Sequence, residues 1–118
     1  MRPVIGWHQE GDQPCLKFTF GSELRLEDAT AAIDEWRKAF DQLSGHPIVL
    51  IWDARELTDY DSAARKAWQK TMKELRNQID TIWLITQSNI VTMGATVMSI
   101  FSSLDIKVVR SEDEIEFH

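Results

Sequence analysis

The chain has 118 residues, 43% of them hydrophobic and 27% charged, with a formal charge of −6. That length and balance predict one globular domain spanning 1–118, with a core that needs no staples. The acidic charge excludes the basic stripe that nucleic acid requires and disfavours an anionic membrane surface. The one cysteine, Cys15, excludes an internal disulfide and fits a reducing, cytoplasmic location.

The opening "MRPVIGWHQEGD" has no apolar stretch of signal-peptide length, so none is expected. "VIGWHQ" and "CLKFTF" read as two strands around a Gly11-Asp12 turn, a hairpin in which Leu16, Phe18 and Phe20 share a face. A helix is predicted from about Glu27, because Ala29, Ala32 or Ile33, Trp36, Phe40 and Leu43 recur at three- and four-residue steps. Ser44-Gly45-His46-Pro47 stops it. "IVLIWDA" is apolar on both alternating faces, the pattern of a central parallel strand covered on both sides.

"SAARKAWQKTMKELRNQI" is the next predicted helix, with Ala64, Ala67 or Trp68, Met72 or Thr71, Leu75 and Ile79 inward and a row of Lys and Arg outward. "TIWLIT" is a second buried strand, and "NIVTMGATVMSIFSSL" a third helix. No charge occurs between Gln87 and Leu104, but the hydroxyls, Asn89 and Gly94 make this segment too polar to span a membrane. "IKVVR" is a last short strand, and Ser111 to Glu114 reads as a capping box opening a final turn. The order β-β-α-β-α-β-α-β-α implies an α/β sandwich whose mixed, mainly parallel sheet is packed with helices.

No catalytic constellation emerges. His8, His46 and His118 lie in separate segments and Cys15 is alone, so neither metal-ligand spacing nor a nucleophilic triad is present. Gly6, Gly11, Gly21, Gly45 and Gly94 form no phosphate loop, and no cofactor is expected. Asp53 ends an apolar strand, as the phosphoryl-accepting aspartate of receiver domains does, but the acidic pair and the lysine of that machinery are missing. Its expected role is to shape the strand-to-helix loop. In the same loop Asp59 or Asp61 can cap the next helix, and Ser62 falls in its first turn, where unpaired N–H groups and the dipole favour negative charge.

Three stretches carry a resemblance: "LKFTFGSELRLEDA", "IVLIWDARELTDYDSAA" and "LDIKVVRSEDEI". They are similar to the strand-glycine-helix start, the apolar strand with its Asp-Ser helix opening, and the closing strand and acidic turn of the STAS domain, the fold of anti-anti-sigma factors. The resemblance implies a STAS-like fold and a non-enzymatic, bacterial, cytoplasmic signalling protein. It would bind a protein partner, such as an anti-sigma factor or kinase, and Ser62 would be the phosphoacceptor. Ala63-Ala64 stand where those switches carry Ser-Gly. The same stretch is similar to a broader STAS-like group related to lipid-binding Sec14-type proteins, which implies a carrier of a lipid or other small apolar ligand as the alternative.

The charge-free third helix raises a separate expectation. Its inner face should hold Ile90, Met93, Val97, Phe101 and Leu104, and its outer face Thr92, Thr96, Ser99 and Ser103. Uncharged hydroxyls can be desolvated without burying an ion, so Val91, Met98 and Ser99 are the expected contact with a second subunit or another protein.

Overall fold

The structure, a computed structural model, describes residues 2–10 and 13–116. The expected Gly11-Asp12 turn and His118 lie outside them. β1 (Val4–Glu10) and β2 (Gln13–Thr19) pair antiparallel, from Val4 opposite Thr19 to Glu10 opposite Gln13. β4 (Ile48–Asp53), β6 (Ile79–Ile85) and β7 (Ile106–Val109) then add in parallel, giving the order β1-β2-β4-β6-β7.

That order sets the layering. Each crossover steps the same way across the sheet, and right-handed crossovers stepping one way lay all their helices on one face. α1 (Leu26–Gln42), α2 (Ser62–Leu75) and α3 (Asn89–Ser102) accordingly cover Leu16, Phe18, Leu50, Trp52, Ile82 and Leu84. The alternate residues of the same strands, Cys15, Val49, Ile51, Trp83 and Ile85, form a second buried cluster with Ile115. Every residue of β4 is buried, and one of its two faces is closed without a helix. Glu112–Glu114 forms a single 3₁₀ turn, capped as expected by the Glu114 carboxylate accepting the Ser111 and Arg110 N–H groups.

Packing is dominated by aromatics. Phe18, Trp36, Trp52 and Trp68 meet mostly edge to face, with centroids from 5.2 Å (Trp36–Trp68) to 6.3 Å (Phe18–Trp52). The inner stripe of α1 is Ala29, Ala32, Trp36 and Phe40, as its periodicity predicts. α2 buries Ala64, Trp68, Thr71 and Met72, and gives way to a 3₁₀ turn at Arg76–Gln78 that delivers Ile79 into β6. Two short strands were absent from the sequence reading: β3 (Glu23–Leu24) and β5 (Asp59–Tyr60), which pair in parallel and tie two loops together.

α3 departs from its expected faces, although Leu104 packs against the core and Thr96 and Ser103 are exposed as expected. Val91, Gly94, Ala95 and Ser102 are buried, and Met98 is half-buried against the core. Ile90, Met93, Ile100 and Phe101 are exposed at 59%, 68%, 70% and 63%. At Gly94 the approach is close. A Cβ on Gly94 would collide with the Tyr60 hydroxyl, so a larger side chain cannot occupy that side of the helix without moving Tyr60. The other expected outer hydroxyls, Thr92 and Ser99, are half-buried. Thr92, Thr96 and Ser102 donate back to the carbonyls of Ser88, Thr92 and Met98, at 2.9, 3.0 and 2.7 Å. Val91 and Met98 therefore point inward, against the expectation of an outward contact, and Ser99 is half-buried.

Candidate functional site

The site grows from the loop after β4. Strand alternation turns Asp53 to the face away from the helices, in register with Thr19 and Ile85. There its carboxylate, only 11% exposed, accepts two hydrogen bonds from the Arg55 guanidinium, at 2.9 and 2.6 Å. That bidentate partner holds the Asp53 carboxyl below its usual range, with a smaller contribution from the Lys17 charge. Lys17 itself pairs with Glu112 at 2.6 Å. Asp53 thus belongs to a charge network on the back of the sheet, while Ser62 and α2 lie on the helical side.

Asp59 is exposed in β5, its carboxylate accepting the Tyr60 N–H at 3.0 Å. Asp61 occupies the N-cap position of α2, yet its side chain makes no cap bond there. The carboxylate turns to another helix instead. It accepts the Arg25 guanidinium at 2.9 Å and the Leu26 backbone N–H, the first of α1, at 3.2 Å. The expected local cap is therefore a long-range one: Asp61 ties the starts of α1 and α2 together and helps to satisfy an orphan N–H of α1. Only a contact 35 residues away reveals this, and no local sequence signal carries it.

Ser62 is the first residue of α2, and it is exposed. Its neighbours Tyr60 and Arg65 both line a pocket between the ends of β4 and β6, α2 and α3. Phe20, Leu57, Trp68 and Met98 supply much of its largely apolar wall, and its free volume is about 50 Å³. Tyr60 closes one side by donating its hydroxyl to the Ile90 carbonyl at 3.3 Å. Trp52 also lines the pocket, and its buried indole N–H has no partner among the described residues. The structure brings Ser62, Asp59 and Asp61 to one end of α2, brings Val91 and Met98 into the adjoining pocket wall, and leaves Asp53 apart. Sequence reasoning missed Tyr60 and the pocket. The mid-helix Gly94 was the available signal, because such a glycine points to a close approach, here that of Tyr60 from β5.

Among the described residues, no helix is long and apolar enough to cross a membrane. No protein-family model matches the chain, and no curated protein sequence matches it significantly. A solved structure does: an uncharacterized protein of the DUF3478 family from Shewanella loihica PV-4, described as having a SpoIIAA-like fold. The match has 18% identity and a TM-score of 0.78, and covers 96% of this chain and 90% of that one. The chain has the SpoIIAA-like, STAS-type fold, an α/β architecture with three helices on a mainly parallel mixed sheet.

Proposed function

We propose that this chain is a non-enzymatic protein-interaction module of the anti-anti-sigma type, and that phosphorylation of Ser62 controls its partner, an anti-sigma factor or kinase. The observation that carries the reading is the exposure of Ser62 at the first position of α2. A kinase can reach it there. A phosphate would meet the positive end of the helix dipole, worth about 0.3–1 kcal/mol at an exposed site, with Arg65 one turn on. Because Asp61 is engaged with α1, its carboxylate does not occupy the α2 terminus.

The test compares Ser62→Asp and Ser62→Ala in partner capture from the source cells, alongside intact-mass measurement of the native protein. The reading expects one phosphate on Ser62 and a partner held by one variant and lost by the other. Equal capture of the same proteins by both variants contradicts the switch.

A second reading, a carrier of a lipid or other small apolar ligand, is supported by the apolar wall of the α2–α3 pocket. Its free volume of about 50 Å³ falls well short of the roughly 300–1,000 Å³ of ligand pockets, so an occupant would have to displace Tyr60 or Met98. Native mass spectrometry separates the two readings: a copurified apolar mass favours the carrier, and the bare chain favours the interaction module.

A further inference from the structure

We propose that the outward face of α3 is a self-association surface, on which a second copy of this chain docks helix against helix across a twofold axis. The proposal does not rest on Ser62, and it stands or falls independently of the switch.

Four observations lead to it. The first is exposure. Ile90, Met93, Ile100 and Phe101 lie 59–70% open to solvent on one helix, where a solvated face ordinarily carries charge. The second is spacing. Positions 90, 93, 97, 100 and 101 follow the three- and four-residue steps of a helix seam, about 16 Å long at 1.5 Å per residue. Half-buried Val97 sits near its middle.

The third is charge. The chain carries 19 acidic and 13 basic residues, but none between Gln87 and Leu104. Two copies of net charge −6 would repel across most faces, whereas at this seam no ion opposes its like and none has to be desolvated. An uncharged apolar strip also offers nothing with which to select a charged partner, while an antiparallel copy matches it in both chemistry and length.

The fourth is area. From their fractional exposures the four residues present roughly 500 Å² per copy, so a pair that covered all of it would remove about 1,000 Å², below the 1,200–2,000 Å² of stable specific interfaces and within the range of weak ones. In an isologous pair, Ile90 at one end of the seam faces Phe101 at the other end of its mate's, and Val97 lies near the axis. An interface of this size belongs with the weak, reversible ones rather than the obligate ones.

Sedimentation velocity on the full chain, from about 1 to 200 µM, tests the proposal over the range where such an interface assembles. The expected mass rises with concentration from 13.6 kDa towards twice that value. Met93→Glu and Phe101→Glu, each verified as folded by circular dichroism, are expected to abolish the rise. Lys38→Glu, at an exposed position on α1, adds more negative charge and is expected to leave the rise intact. Should either glutamate variant fail to fold, Met93→Ser or Phe101→Ser replaces it and must show the same loss. A wild-type chain that stays at 13.6 kDa throughout, or seam variants that associate as the wild type does, overturns the proposal.

Discussion

α2 and α3 are neighbours of equal length, 14 residues each, on the same sheet, and they solve burial in opposite ways. α2 turns Trp68 and Met72 inward and sets Lys66, Lys70 and Lys73 in water. α3 turns Gly94, Ala95 and Ser102 inward and leaves Ile90, Met93, Ile100 and Phe101 outside. The contrast teaches that apolar periodicity locates a helix but does not say which stripe faces the sheet. Where there is depth, large side chains fill it. Where a neighbour comes close, small residues win the inner side and the large ones are left for something else to cover.

The widest test of that contrast replaces one aromatic on each helix. Trp68 is 2% exposed amid the aromatic cluster, so Trp68→Ala is expected to destabilise the fold by about 3–5 kcal/mol in urea unfolding. Phe101→Ala should change the monomer's stability by no more than about 0.5 kcal/mol. Comparable losses at the two sites would mean that Phe101 is a core residue. A narrower test enlarges the inner side of α3. Ala95 is 1% exposed and lines the α2–α3 pocket, whose free volume is only about 50 Å³, so Ala95→Leu is expected to overpack it at a cost of about 1–3 kcal/mol. A neutral result would show a roomy interface between α3 and the sheet.

The smallest expected effect concerns the back of the sheet, which neither helix touches. Arg55 keeps the folded-state pKa of Asp53 below its ordinary value of 3.8. A carboxyl so depressed contributes stability that is present above the unfolded value and is lost as pH falls through the folded one. Asp53→Asn should therefore be less stable than the wild type near pH 7, and the gap should narrow by about pH 3. A gap that is the same at both pH values would remove the Asp53–Arg55 pair from the account.

Much of this architecture was legible in the sequence. The hairpin, the buried strands and the inner stripes of α1 and α2 follow from spacing, since burial there is decided by large apolar residues at regular steps. The capping box at Ser111 was legible too, being local chemistry. What failed depended on distant neighbours. β3 and β5 are two residues each and exist because two loops meet. The Asp61 carboxylate bonds to the start of α1 rather than to its own helix. The inner face of α3 packs Gly94 against Tyr60, 34 positions earlier, and Val91, Gly94, Ala95 and Ser102 at helical spacing were the signal to weigh against the larger residues.

The orientation of α3 is the claim on which the rest turns, and the methionines report on it directly. Met93 is 68% exposed on its outer side, Met98 half-buried on its inner side, and Met72 fully buried under α2. Brief peroxide oxidation of a dilute sample, followed by peptide mass spectrometry, should modify Met93 first, Met98 later and Met72 last. Oxidation of Met98 ahead of Met93 would contradict the account, because it would put the large residues of α3 against the sheet and its small ones in water.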